Sequence, residues 1–328
     1  MSATVPPTVE SRLTGRGSRV PGPGSRVEGV TSVSLAELLA LRARAAKPVA
    51  FRARSSLTGG HRSTLRGRGM DYAESRVYQP GDDARNIDWR RTARSGKWHT
   101  KLFEAEREHG LLLVIDTHAS MRFGTRARYK SVAAARAAAW MAWTSARAGD
   151  RVGAMAFGNL RSAVDPRGGT RGVLAVLGAL ARWDDLARAA DATSAEPLSV
   201  ALERARRLIL PGSRAWLLSD GWCTDDATSG ALARVARHAD LRVGIVVDAL
   251  ERQPAPAGVY VFETESEKTR IDLASAATRA QFRERMSQGW RRLAEACDGA
   301  AIPWSTLATT DEPDIAIAPM WRRRAGRP

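Results

Sequence analysis

Two short segments hold side chains that could do chemistry together. Asp116-Thr117-His118-Ala119-Ser120 directly follows the apolar run Leu111 to Ile115, and Ser219-Asp220-Gly221 follows Ala215 to Leu218. In parallel sheets ligands collect at the carboxyl ends of the strands, so two aspartates there offer oxygen to a hard cation such as Mg²⁺. Spacing alone favours the plainer role of capping turns. Of the five histidines (61, 99, 109, 118, 238) only His118 falls at a strand end. No GxSxG, HExxH or CxxC occurs, and Gly124 to Lys130 lacks the second glycine that a phosphate loop places before its lysine.

The elements that must position these residues follow from periodicity. Leu111-Leu112-Leu113-Val114-Ile115 has the length of a strand buried on both faces. After it come an Ala-rich helix from about Arg128 to Arg147, a strand Val152 to Phe157, a shorter one Leu160 to Val164 and a helix Thr170 to Trp183. A helix Pro197 to Leu210, strand Ala215 to Ser219, helix Gly230 to His238 and strand Arg242 to Val247 follow, then a long helix Ala276 to Cys297. Helices alternating with apolar strands predict right-handed crossovers and an α/β fold with a doubly wound, mostly parallel sheet. Val259 to Phe262 is expected as an edge strand, and Trp140 and Trp143, three apart in a helix, as core or helix-interface residues.

Ahead of the sheet, Ser34 with Glu37 three residues on resembles a capped helix start, the helix running to about Ala46. Residues 50–109 read as a small β-rich module with strand-like pieces Ser75 to Tyr78 and Lys97 to Ala105 and the turn Pro80-Gly81-Asp82-Asp83. The net charge of +16, carried almost wholly by Arg, favours acidic partners without choosing among nucleic acid, membrane and protein. Two cysteines, Cys223 and Cys297, give neither a disulfide scaffold nor a zinc-ligand spacing. The longest uncharged stretch is Gly299 to Thr310, against the roughly 20 apolar residues of a membrane helix. With no apolar signal region near the N-terminus, the expected location is cytoplasmic.

Strand-Asp116-x-x-x-Ser120-Met121 resembles the D-x-S-x-S opening of von Willebrand factor A-like domains, whose metal-ion-dependent adhesion site adds a Thr and an Asp from two further loops. Tyr72-x-x-x-Arg76-x-Tyr78-x-Pro80-Gly81-Asp82-Asp83-x-Arg85-x-Ile87-Asp88-Trp89, with Ala93-Arg94 and the acidic stretch Glu104 to Glu108, is similar to the signature of the bacterial "domain of unknown function fifty-eight" family. Gly149-Asp150-Arg151-Val152-Gly153 and Asp248-x-x-Glu251 agree with it, and the resemblance spans roughly residues 50–310. It implies a von Willebrand A-like domain over 110–310, preceded by the helix and charged β-rich module (33–109); residues 1–32, rich in Pro, Gly, Ser and Arg, read as a disordered basic tail, and 311–328 as a basic tail.

The resemblance implies Asp116, Ser120 and Asp220 as metal ligands, with two replaced positions. His118 stands for the middle Ser, and Ala195-Glu196-Pro197-Leu198 for Gly-Thr-Pro-Leu, so Glu196 takes the place of the Thr ligand unless a shifted loop brings in Thr193 or Ser194. The cofactor is therefore expected to be none, or a weakly bound Mg²⁺ or Mn²⁺. A nitrogen ligand also invites Zn²⁺ or Ni²⁺, and a protonated His118 pairing with Asp116 or Glu196 would fill the place with no ion.

Arg76, Tyr78, Asp82, Asp83, Arg85, Asp88, Trp89 and Arg94 form either an internal ion-pair network or a docking surface. Relatives sharing the resemblance are commonly associated with MoxR-type AAA+ ATPases. That implies a non-enzymatic adaptor with a degenerate adhesion site, acting with such an ATPase on a client protein. Two other classes compete. A phosphatase or hydrolase would use Asp116 as nucleophile and His118 as acid, though no convincing lysine sits upstream of Asp220 to neutralise phosphate. A nucleic-acid binder would use Trp89 and Trp98 beside Arg, against which the interleaved acidic residues count.

Overall fold

The computed structural model describes residues 11–12, 29–45, 70–79, 84–105, 110–190, 195–210, 212–253, 255–263 and 268–322. Its strands are β1 (Ser11–Arg12), β2 (Met70–Val77), β3 (His99–Ala105), β4 (Gly110–Asp116), β5 (Arg151–Phe157), β6 (Ser162–Arg167), β7 (Arg214–Ser219), β8 (Asp240–Val247), β9 (Val259–Glu263), β10 (Lys268–Asp272) and β11 (Trp304–Ala308). Its α-helices are α1 (Leu35–Ala40), α2 (Trp89–Ser95), α3 (Lys130–Arg147), α4 (Gly169–Ala189), α5 (Leu198–Leu208), α6 (Thr228–Ala236), α7 (Ala249–Arg252), α8 (Ala276–Gly299), α9 (Pro313–Ala316) and α10 (Ala318–Arg322). The chain divides into a large unit, residues 1–54 and 109–328, and a small one, residues 55–108.

The large unit is built on a six-stranded sheet of order β11-β8-β7-β4-β5-β6, parallel throughout except for the antiparallel edge strand β6. All seven residues of β4 are buried, as a central strand covered on both faces requires. One face packs a core that includes α1, α3, α4 and the C-terminal helices, the other a core from α5, α6 and α8. The expected α/β class with a doubly wound, mostly parallel sheet is what the structure shows. The small side chains of the Ala-rich α3 let it lie close to the sheet, and it is buried from Val132 to Ser145. Among the described residues no helix is long and apolar enough to cross a membrane.

Several boundaries differ from those expected. The helix at residue 35 belongs to the large unit rather than to the β-rich module, because it sits on α3: Trp140 Nε1 donates to Arg44 O at 3.0 Å and Trp143 Nε1 to Leu38 O at 3.2 Å. Residues 29–32, assigned on composition to a tail, are tied in by their backbone. Tyr129 N donates to Val30 O at 2.8 Å, and Arg188 Nη2 to Thr31 O at 2.7 Å, with Thr31 and Ser32 buried. Residues 311–322 are packed as well: Ile317 and Met320 join the core, and Trp321 stacks on Trp216 at 5.9 Å under the Arg214 guanidinium. Glu312 there is gripped by Arg44 at 2.5 Å and Arg136 at 2.6 Å, so acidic residues inside a basic segment find internal partners. Val259 to Phe262 is no edge of the main sheet but the middle strand of a separate sheet, β1-β9-β10. Residues 1–10, 13–28 and 323–328 of the expected tails lie outside the described residues.

The small unit pairs β2 with β3 antiparallel and adds α2. Asp88 is the N-cap of α2, its carboxylate accepting Arg91 N at 3.1 Å and Ser75 Oγ at 2.6 Å. Asp88 thus caps α2, and Asp88→Ala is expected to lose about 0.5–2 kcal/mol, measured by urea unfolding. A loss beyond about 3 kcal/mol would restore the buried ion-pair reading.

Candidate functional site

Parallel pairing brings the carboxyl ends of β4, β7 and β8 to one edge of the sheet, where Asp116 ends β4 and Asp220 and Asp248 directly follow β7 and β8. All three are buried. A buried carboxylate is tolerated only when donors or cations satisfy it, and each of these is satisfied differently.

Asp116 is held by its own loop and by β7. Its Oδ1 accepts His118 N at 2.9 Å and His118 Nδ1 at 2.7 Å; its Oδ2 accepts Ser219 Oγ at 2.5 Å and Cys223 Sγ at 3.4 Å. The imidazole packs edge-on to Phe157, with centroids 5.7 Å apart, and rests against Gly158, where a Cβ would stand 2.5 Å from Nδ1. Burial of the ring works against its charge, but the Asp116 carboxylate and its hydrogen bond outweigh this, so the His118 pKa is raised. Burial likewise works against the Asp116 charge and is overcome by His118 and Ser219, leaving its pKa lowered. The sign follows. The stabilisation from the His118 charge is complete below the ordinary value of 6.5 and is lost as pH rises through the raised folded value. His118→Gln is therefore expected to lose more stability at about pH 6 than at about pH 9, read from urea midpoints at each pH. An equal loss at both would show that the ring is uncharged in the fold.

Asp220 is met by a cation that the chain itself supplies. Lys130, the first residue of α3 and 1% exposed, places Nζ 2.7 Å from Asp220 Oδ2 and 2.8 Å from Glu251 Oε1. Asp220 Oδ1 accepts Trp222 N at 3.2 Å. Burial opposes the ammonium charge, yet the two carboxylates raise its pKa above the ordinary value. One ammonium does not fully offset two carboxylates, and burial together with the Asp220 charge pushes Glu251 up to about 7. Glu251 Oε2 also accepts Asp248 N at 2.7 Å in a capping box at the start of α7. Asp248 in turn accepts Thr125 Oγ1 at 2.5 Å, Thr309 Oγ1 at 2.8 Å and Leu250 N at 3.0 Å. Lys130 thus binds the loops after β7 and β8 to the start of α3.

The expected ligands are brought together only in part. Asp116 and Ser120 share a loop, and Ser120 Oγ is buried without a hydrogen-bond partner. Glu196 is buried but turned to Arg204, whose Nη2 and Nε lie 2.7 and 3.2 Å from its carboxylate. Thr193 and Ser194 lie outside the described residues. Mg²⁺ requires six oxygens at about 2.0–2.1 Å in a nearly regular octahedron. Here one acidic group is committed to an internal ammonium, a second to an imidazole and a third to a guanidinium, and a nitrogen replaces a hydroxyl. The residues present do not fit a magnesium ion.

Sequence reasoning missed Lys130, Ser219 and Cys223 as members of this cluster. A lysine opening an otherwise apolar, Ala-rich helix was the available signal for the first, and Asp248-x-x-Glu251 already spelled the capping box that holds its second partner. Nothing in the spacing marks Cys223.

A family model described as Protein of unknown function DUF58 matches residues 74–291. Uncharacterized protein Mb1516 of Mycobacterium bovis and Uncharacterized protein Rv1480 of Mycobacterium tuberculosis are each 30% identical over 254 residues, covering 77% of this chain and 79% of theirs. The chain belongs to the DUF58 family. Among solved structures, this DUF58 chain is similar to an aerotolerance-related membrane protein from Bacteroides fragilis, with TM-score 0.38 and 10% identity over 64% of this chain and 96% of that one. It is also similar to the conserved hypothetical protein BatB from Bacteroides thetaiotaomicron, with TM-score 0.32 and 12% identity over 59% of this chain and 98% of that one. Likeness of this degree says nothing of function.

In the small unit three aromatic rings, two of them in the DUF58 signature, lie close together. Trp98 lies 6.0 Å from Tyr78 and 6.2 Å from Trp89, ring centre to ring centre, and the two tryptophans are 57% and 64% exposed. Arg85 and Arg94 are exposed. Arg76 lies on β2, and Asp82 and Asp83 fall outside the described residues.

Proposed function

We propose that the protein is a non-catalytic binding module, an adaptor acting with a MoxR-type AAA+ ATPase in the maturation or assembly of a client protein. The observation that carries this reading is that the acidic groups expected to hold metal or attack substrate are engaged from within: Asp116 by His118 and Ser219, Asp220 by Lys130, Glu196 by Arg204. An attacking carboxylate needs a free oxygen facing the substrate. Both oxygens of Asp116 accept hydrogen bonds, and the residue is 1% exposed.

The partner surface in this reading is the face of Tyr78, Trp89 and Trp98 with Arg85 and Arg94. Tryptophan, tyrosine and arginine are the side chains that dominate binding energy in protein interfaces, and arginine beside them suits an acidic partner. The test is capture of the ATPase from the native host by full-length tagged protein. Replacing Trp89 and Trp98 together by Ala is expected to abolish capture while thermal unfolding stays unchanged, since both side chains are largely in water. Undiminished capture by that variant, or phosphatase activity that disappears in Asp116→Asn, would overturn the proposal.

A further inference from the structure

We propose that Asp116, His118 and Cys223 form a binding site for a divalent transition-metal ion of borderline softness, Zn²⁺ being the type. The site uses a thiol and an imidazole in place of the hydroxyls of a magnesium site, and it stands whether or not the small unit docks a partner.

The geometry comes first. One ligand atom from each residue lies within 4.8 Å of the other two. In a tetrahedral shell with Zn–N and Zn–O near 2.0 Å and Zn–S near 2.3 Å, neighbouring ligand atoms stand about 3.3–3.6 Å apart. Cys223 Sγ is already 3.4 Å from Asp116 Oδ2. His118 Nδ1 is 2.7 Å from Asp116 Oδ1, a separation set by the proton between them, and it opens when an ion replaces that proton. Two of the three residues, Asp116 and His118, also line a cleft with Thr117, Met121 and Arg122.

The surroundings are those of a supported site. Ser219 Oγ donates to Asp116 at 2.5 Å and is itself fixed by Gly221 N at 3.0 Å, so the carboxylate is oriented by a second layer. The Phe157 edge holds the imidazole in place. Ser120 Oγ, four residues along the same loop from Asp116, is buried and makes no hydrogen bond. The chemistry of the donors selects the ion: thiolate and imidazole favour Zn²⁺ and its neighbours over Mg²⁺. Without an ion, burial and the carboxylates of Asp116 and Asp220 hold Cys223 as a thiol, its pKa far above the ordinary value. Binding is then an exchange in which the ion enters, the thiol and the imidazolium each give up a proton, and nothing is oxidised or reduced.

Co²⁺ is the probe, added to the chelator-treated full-length protein under a phosphine reductant. The expected spectrum has a thiolate-to-cobalt charge-transfer band and the intense visible bands of tetrahedral Co²⁺, bleached by Zn²⁺ and indifferent to excess Mg²⁺. Calorimetry in buffers of different ionisation enthalpy is expected to count two protons released per ion. Cys223→Ser removes the charge-transfer band, Cys297→Ser keeps it, and Ser219→Ala weakens binding about 10–100-fold. Should Cys223→Ser fail to fold, Cys223→Ala and the proton count on the unaltered chain decide the matter. A spectrum without the thiolate band, or a band that survives loss of Cys223, overturns the site.

Discussion

Lys130→Met is expected to destabilise the protein by about 3–5 kcal/mol, the loss that follows when one partner of a buried ion pair is removed and the other charge stays behind. The ammonium lies 2.7 Å from Asp220 and 2.8 Å from Glu251, all three groups being almost wholly shielded from water. Methionine matches the length of the stem, so the loss is one of charge rather than of packing. The damage also depends on pH: Glu251, pushed up to about 7, takes up its proton in acid and then needs no partner, so the difference from the unaltered protein shrinks. Urea unfolding at about pH 5 and pH 8 measures both effects. A loss under about 1 kcal/mol at the higher pH would mean that the ammonium does not hold these carboxylates.

Glu251 gives the same triad a second signature. Its pKa, raised from 4.5 to about 7, means that the folded state holds a proton that the unfolded state has already released. Stability from this group is therefore greatest below 4.5 and falls as pH rises toward 7, the reverse of a carboxylate whose pKa is lowered. Glu251→Gln keeps an acceptor near Lys130 and removes that titration. The variant's stability curve is expected to be flatter over this window, and a slope equal to that of the unaltered protein would refute the assignment.

How much of this was legible depends on the range of the interaction. Leu111 to Ile115 announces a buried central strand because five adjacent side chains carry the signal, and the helices α3 to α6 and α8 follow from local periodicity. The strand Trp304–Ala308 escaped notice because its residues are mostly half-buried and Trp-Ser-Thr-Leu-Ala carries no continuous apolar run, although Pro303 bounds it. The ends were misjudged because composition averaged over a whole tail hides a few residues that pack, such as Val30 at one end and Ile317 and Trp321 at the other. The Lys130 triad was not assembled from the sequence for a different reason. Its members lie 90 and 121 residues apart, and only strand order brings them to one edge. Asp116 and Asp220 stand at the strand ends where motif spacing placed them; His118, the partner of Asp116, lies two residues on in the same motif, whereas the lysine that meets Asp220 comes from 90 residues away.

Gly221→Ala is expected to cost about 3 kcal/mol or more, from backbone strain of roughly 1–2 and forced overpacking of roughly 1–3 kcal/mol. Gly221 adopts φ +83°, and a Cβ there would stand 2.3 Å from the Gly289 carbonyl oxygen and 2.7 Å from Leu293 Cβ, both on α8. The fit is mutual, because a Cβ on Gly289 would strike the Trp222 ring at 2.8 Å. Helix and loop thus interlock through two missing side chains, and the loop so clamped carries Asp220 on one side and Cys223 on the other. Gly149 is the control: its φ is +87°, with nothing within 4 Å of a built Cβ, so Gly149→Ala pays for strain alone, about 1–2 kcal/mol. The difference between the two variants isolates the close approach of loop and helix. In Gly221→Ala the displaced loop pulls Asp220 from Lys130 and Cys223 from Asp116, so the cobalt thiolate band should weaken along with stability, whereas Gly149→Ala leaves the band untouched. If the two variants unfold at the same urea concentration, α8 does not clamp the loop, and the positions of Asp220 and Cys223 must be set by Lys130 and Asp116 alone.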